Sequence, residues 1–495
     1  MTTSDLIVLL LAALGPLLIL VRRVPVPDSL VLVGCGLATA FVPGLPQVQV
    51  EPQLMLGVFL PAILYAGTVR LSWHLLRHAW HTGVVVGAVA AALTIGAVAL
   101  AARALLPELS PIGAVLLGVV AALFDTRLLQ EAQGVAHLPR AMADALQARE
   151  MAARVIALAA FGAALDVLGG ETPSVAGTLG EQVWATLAGA AVGAAVGRAA
   201  LWLGERADPA PVEVAVSLAA PYACALLAQR FGLSLAVCVI AAALTVSAVQ
   251  IDEESGAPQA SSGTRISTAA FWDVTNRVAS ATLYLLAGHE LPVAVQALGR
   301  WPAWHVALAA AGLLGVIVLV QAAVAWVSTW FGPVARAVRA RPGATRGRAA
   351  AAMAWASTRS VVGLIVALSI PATGPDGQPY AERGLVLLAA TFVILGSSLL
   401  QGLTLNAVLR RADLGDEEQE RHEEEDARRI LRGEGRASHD RAHPSVNEHD
   451  ARRRALLALR REDRIGDAVL HRMLREVDLH SNAEETAEET NETKA

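Results

Sequence analysis

Asp125 lies in the stretch Gly118-Val-Val-Ala-Ala-Leu-Phe-Asp125-Thr-Arg, near the end of an otherwise apolar segment running from Ile112 to Leu129. The next apolar segment, Ala141 to Leu168, carries Arg149, Glu150 and Arg154. A charge held in hydrocarbon is costly, about 2.5–3.5 kcal/mol at a helix centre, so each of these residues marks a functional site and needs a partner. A buried carboxylate binds a proton or a cation, never both, and competition at one such group is sufficient for exchange. A guanidinium beside it fills its lone pairs and mimics a bound cation. A further polar cluster, Ser357-Thr358-Arg359-Ser360, interrupts the apolar segment 347–371.

These residues must be positioned by a membrane framework. The chain is 55% hydrophobic and 17% charged over 495 residues, too apolar for a soluble protein of that length. Its net charge of −5 conceals a division: the apolar part is nearly neutral, and charge gathers after Arg410. Lys494 is the sole lysine. Cys35, Cys224 and Cys238 lie in apolar runs and read as packing residues, neither a disulfide framework nor a metal site. There is no phosphate loop, no metal constellation and no nucleophile–base pair in the sequence, so an enzyme is not expected, nor a cofactor, nor a nucleic-acid partner. The first apolar run, Leu6 to Val21, follows Asp5 and precedes Arg22-Arg23. A cleavable signal has its basic residues first, so this run reads as a retained span with its N-terminus outside.

Thirteen segments reach membrane-spanning length: 5–21, 29–43, 53–69, 82–105, 112–130, 141–168, 181–203, 212–228, 232–250, 268–291, 303–330, 347–371 and 381–409. Arginines follow the odd-numbered segments, among them Arg70, Arg77, Arg127, Arg140, Arg206, Arg336, Arg339 and Arg410. The stretches 43–52 and 169–182 hold none. Cytoplasmic loops carry the basic residues, so the C-terminus is placed inside, in the plasma membrane. An odd count, with polar residues in the fifth, sixth and twelfth segments, suggests an all-α polytopic fold. It would have two inverted six-helix repeats, with discontinuous crossing helices near the midplane and the seventh segment as linker. In the tail, residues 433–447 read as a flexible linker, and 450–479 as a helical hairpin carried by Leu456, Leu457, Leu459, Val469, Leu470, Met473 and Leu474. The final acidic stretch, 481–495, reads as disordered.

Several stretches resemble the bacterial monovalent cation:proton antiporters, the sodium/proton exchanger family. They are Pro25-Val-Pro-Asp-Ser-Leu-Val-Leu-Val-Gly, Phe59-Leu-Pro-Ala-Ile-Leu-Tyr, Ala220-Pro-Tyr, Phe271-Trp-Asp, Leu285-Leu-Ala-Gly288, Trp355-Ala with Arg359, and Gln401-Gly-Leu-Thr-Leu. Their order and spacing carry the resemblance across nearly the whole chain. It implies a homodimer in the lipid bilayer, with a transmembrane domain over 1–411. Segments 1–3 and 8–10 would form the scaffold, and 4–6 and 11–13 the moving core. Residues 412–495 would be a cytoplasmic tail that binds a regulator. The resemblance also implies exchange of a monovalent cation, sodium first, for protons.

The ion-binding motifs depart from the family pattern. The fifth-segment Thr-Asp-Pro falls on Phe124-Asp125-Thr126, and the sixth-segment Asn-Asp falls on Ala153-Arg154. A family Glu falls on Arg149, with Glu150 adjacent, and the third-segment Glu falls on Ala66. Three readings follow. Asp125 exchanges ions, with Thr126, Glu150, Arg154 and Arg359 along the pathway and Phe124, Arg149, Asp273, Ser357 and Thr358 in support. Alternatively, an Asp125–Arg154 pair locks or repurposes the core, with Glu150 as a possible second carboxylate. In the third reading an anion or another solute moves. Asp166 and His289-Glu290 are expected at outer ends, snorkelling to the interface.

Overall fold

The computed structural model describes residues 12, 14–19, 21, 23, 26–42, 51–69, 83–126, 138–170, 175–204, 206, 210–251, 262–296, 298, 302–341, 344–373, 380, 382–414, 417–439, 445–462, 464–466, 469–470 and 472–480. Nearly all of them are helical. A helix lies on each of the thirteen apolar segments marked above. Among the described residues, seven helices are long and apolar enough to cross a membrane, and four more are apolar but shorter. Residues 127–137, which include Arg127 and the last four residues of the fifth segment, lie outside the described set, as do Arg22, Arg70, Arg77 and 481–495.

The chain divides into two compact units. The first comprises residues 1–63, 78–186 and 277–415. It holds α1 (Asp28–Thr39), the start of α2 (Pro52–Thr68), α3 (Val85–Leu105), α4 (Pro111–Ala122) and α5 (Arg140–Leu168). After the start of α6 (Val175–Gly204) the chain passes to the second unit, through α7 (Ala210–Phe231) and α8 (Leu235–Ile251). It returns along α9 (Ser262–Gln296) and continues through α10 (Ala303–Ser328), α11 (Gly332–Arg339), α12 (Arg346–Trp355), α13 (Val361–Leu368) and α14 (Arg383–Ala412).

Within the first unit, α3 packs against α4, α5 and α10, and α10 packs against α12 and α14. Gly87 lets α3 close on α5: a Cβ there would stand 2.8 Å from the carbonyl oxygen of Arg149. Small residues permit such approach where lipid gives helices no hydrophobic drive to associate. Alanines supply much of the packing among α5, α10, α12 and α14, with Met142, Leu146, Met353, Leu405 and Leu409 as the larger members.

Two of this unit's apolar segments leave the helix for extended chain. Helix α4 starts at Pro111 behind the N-cap Ser110, whose Oγ accepts from the Gly113 amide, and it ends at Ala122. The chain then runs extended through β1, Phe124–Asp125. Helix α12 ends at Trp355, the chain extends through β2, Thr358–Arg359, and α13 begins at Val361 with Ser360 as N-cap. The two extended segments pair antiparallel, Phe124 opposite Arg359 and Asp125 opposite Thr358. Backbone polar groups in an apolar core must find partners internally, and this short ladder supplies them where the helices stop.

In the second unit, Trp272 is buried, donates from Nε1 to Ser217 Oγ at 2.9 Å, and packs against Tyr65 at 4.7 Å between ring centroids. The tail is helical over α15 (Glu417–His439), α16 (Ser445–Arg461) and residues 472–480. Leu456, Leu457, Leu459, Ile465, Val469, Leu470, Met473 and Leu474 pack there with Ala427 of α15. The linker expected at 433–447 is therefore largely helix. Glycine costs only about 1 kcal/mol in a helix interior. The pairs Arg428–Glu424 and Arg429–Asp426 reinforce the turns just before it.

Candidate functional site

Asp125 lies at the paired crossing and is 8% exposed. Its main-chain carbonyl accepts from Thr358 Oγ1 at 3.0 Å. Thr126, next along the chain, donates from its amide and its hydroxyl to one oxygen of Glu150, at 3.1 and 2.8 Å. The other Glu150 oxygen takes Arg154, one turn further along α5. Glu150 thus ties the extended end of the α4 segment to α5.

Arg154 pairs with Glu150, where a spacing of twenty-nine residues had suggested Asp125. The reason is local: residues four apart on a helix are neighbours, and Glu before Arg is the favoured order. Both side chains are more than nine-tenths buried. Glu150, the carboxylate held in reserve, is the partner the structure uses.

Arg359 solves a different problem. Its Nη1 donates to the Ala121 carbonyl and its Nη2 to the Ser357 carbonyl at 2.8 Å. The first oxygen lies in the last turn of α4 and the second just past the C-cap of α12, near two helix ends whose dipoles each present about half a negative charge. Arg359 thus serves the ends of both helices through main-chain carbonyls. Its amide donates to Ser397 Oγ at 3.1 Å, Ser397 donates on to Gln401 Oε1, and Gln401 Nε2 returns to the Ser357 carbonyl at 3.4 Å. Ser357 Oγ donates to the Met353 carbonyl at 3.0 Å.

Arg149 is 2% exposed and donates to Gln321 Oε1 on α10. Its guanidinium and that of Arg359 both pack against the Phe124 ring, at 5.2 and 5.8 Å from the centroid. The crossing therefore gathers Phe124, Asp125, Thr126, Arg149, Glu150, Arg154, Ser357, Thr358 and Arg359. Asp273 belongs to the second unit and is exposed.

Sequence reasoning missed some participants. Gln321, a lone amide in an apolar run, was a usable signal. His289 and Glu290 are each 2% exposed, held inside the protein where snorkelling side chains were expected. Glu290 pairs with Arg383 at 3.3 Å, and His289 Nδ1 meets Thr39 Oγ1 at 3.0 Å. The tenth apolar segment ends at 291, but α9 runs on to Gln296, which leaves these residues more than a turn inside the helix. Asp166 is exposed, consistent with an end position.

A strongly apolar helical chain with a buried carboxylate where two extended segments pair at helix ends has the core of an ion-coupled secondary transporter. The particular family follows from comparison: residues 9–411 match the family described as sodium/hydrogen exchanger, transmembrane, and the chain belongs to it. That family is one of transporters, not enzymes. The chain is 30% identical over 424 residues to an uncharacterized Na+/H+ exchanger of Mycobacterium tuberculosis, covering 83% of this chain and 75% of the relative. It is 28% identical to the Na+/H+ antiporter NhaP of Pseudomonas aeruginosa, over 75% of this chain and 86% of that one. The fold resembles that of the sodium proton antiporter MjNhaP1 from Methanocaldococcus jannaschii, with TM-score 0.64 and 16% identity, covering 83% of this chain and 99% of that chain.

Proposed function

We propose that the protein exchanges sodium for protons across the plasma membrane, with Asp125 as the carboxylate that takes either ion in turn. The observation that carries this is a buried aspartate where two extended segments pair at helix ends, in a chain of the sodium/hydrogen exchanger family. The Arg154–Glu150 pair supports it, because that pair gives the guanidinium a carboxylate other than Asp125. Thr126 and Glu150 hold the chain immediately after Asp125. Arg359, with Thr358 and Ser357, holds the opposing strand. The relatives named as Na+/H+ exchangers and antiporters favour sodium as the cation.

Thirteen spans in two inverted repeats, with the N-terminus outside and the C-terminus cytoplasmic, suit the arginine distribution. Segments 1–3 and 8–10 act as scaffold and 4–6 and 11–13 as moving core. The working form is a homodimer, and the folded tail offers a surface to a cytoplasmic regulator. The central test is purified protein in liposomes loaded with a pH-sensitive dye. Sodium addition is expected to dequench the dye in wild type and not in Asp125→Asn. No response to sodium, potassium or lithium at any pH would refute exchange. Reporter fusions at Gly170 and Gly343 reporting the same side would refute the span count, and cross-linking that traps only monomer in native membranes would refute the dimer.

A further inference from the structure

Among the described residues, charge accounting at the crossing leaves one guanidinium without an ion-pair partner. Arg154 has Glu150. Arg359 has the carbonyl ends of α4 and α12, whose dipoles together supply about one negative charge. Arg149 has neither. Its Nη2 is taken by Gln321, and its Nε and Nη1 have no hydrogen-bond partner although the side chain is buried. The Nε of Arg359, against the same Phe124 ring, is likewise unpartnered. Asp125, next along β1, has contacts of its own and, among the described residues, pairs with neither Arg149 nor Arg359. The attraction of an aromatic ring for a cation is far weaker than the cost of an uncompensated buried ion.

We propose that Arg149 holds a small inorganic monovalent anion of the chloride class, on the Phe124 face of the crossing, with the Gln321 amide nitrogen beside it. A monovalent ion balances the single surplus charge; a divalent one would leave a negative charge of its own unmatched. The site stands on this geometry and does not depend on sodium being the transported cation.

The test uses the purified full-length protein and needs no transport. Thermal unfolding is followed as chloride replaces gluconate at constant sodium and ionic strength, and radiolabelled chloride binding is measured in parallel. In wild type the midpoint is expected to rise with chloride and saturate, because a ligand bound only to the folded state stabilises it by mass action. Arg149→Gln is expected to lose both the shift and the binding, and Arg149→Lys to retain part of each. Gln321→Leu, which keeps the charge, is expected to weaken the half-saturating concentration by about 10-fold, the loss of one hydrogen bond to an ion. A wild type indifferent to chloride, an Arg149→Gln protein that shifts as much as wild type, or a larger effect from sulfate than from chloride would each overturn the proposal.

Discussion

The two ends of α4 carry polar groups, half-buried at one end and buried at the other, arranged by the same electrostatic rule with opposite sign. At its N-terminus Glu382 accepts from the Ser110 amide at 3.0 Å, the Ser110 hydroxyl at 2.7 Å and the Tyr380 hydroxyl at 3.2 Å. A carboxylate thus sits at the positive end of the helix. Next to Glu382 in sequence, Arg383 pairs with Glu290 and donates from Nε to the Ile370 carbonyl at 2.9 Å. At the C-terminus of α4 the Arg359 cation meets the negative ends of two helices. The difference lies in completeness. Among the described residues, the unpartnered guanidinium nitrogens of Arg149, Arg154 and Arg359 are gathered at the crossing, and none belongs to the Ser110–Glu382 cluster. A cluster whose donors and acceptors are matched holds helices together. A cluster with donors left over has the capacity to hold something else, and it stands beside the one carboxylate proposed to exchange ions.

Mutations can break or sharpen that contrast. The largest effect is expected from Asp125→Asn, which should reduce sodium-driven proton movement in liposomes to the level of empty vesicles. Glu150→Ala comes next. It strands Arg154 and removes both Thr126 hydrogen bonds, and breaking one side of a buried pair costs about 3–5 kcal/mol. Thermal or denaturant unfolding should show that loss, and Glu150→Leu combined with Arg154→Met should recover most of it. If the double variant is no more stable than Glu150→Ala, the pair is not what holds this end together. A smaller change is expected from Gly113→Ala at the complete end. A Cβ there would stand 2.5 Å from Glu382 Oε2, so the carboxylate must shift off the helix end. Overpacking of this kind costs about 1–3 kcal/mol. The loss should appear in unfolding while the exchange measured in liposomes persists.

The sequence made the helices legible because hydrophobic runs of membrane length are a strong signal, and a described helix lies on each of them. It also placed Asp125 and the polar cluster around Arg359, since charge in an apolar run is rare enough to be informative. The pairing was less accessible. Arg154 stands in register with the family's second acid, which pointed across the fold to Asp125. The nearer alternative, Glu150 one turn back on the same helix, was decided by local geometry. The role of Arg359 at two helix ends was illegible, because its partners are main-chain carbonyls that only the end of each helix exposes. The Ser110–Glu382 contact joins residues 272 apart, one just before the fifth segment and one at the first turn of the thirteenth, and nothing in their spacing links them.

The smallest expected effect tests how complete the N-terminal cluster is. Tyr380 lies between α13 and α14, and its hydroxyl is raised from the ordinary value of 10.0 to about 12. Burial is the main cause, the Ser110 contact works against it, and the Glu382 carboxylate adds to it. The neutral phenol is therefore favoured in the folded state. A group whose folded pKa exceeds its unfolded value contributes stability that is present below the unfolded value and lost as pH rises through the folded one. Wild-type stability should accordingly fall more steeply between pH 10 and about 12 than that of Tyr380→Phe, which has no proton to lose there. Measured near neutral pH, the Phe variant should be only slightly less stable, by the roughly 1 kcal/mol of one hydrogen bond. Parallel pH profiles for the two proteins would show that the phenol is not held by Glu382, and the matched end of α4 would then be no more complete than the crossing.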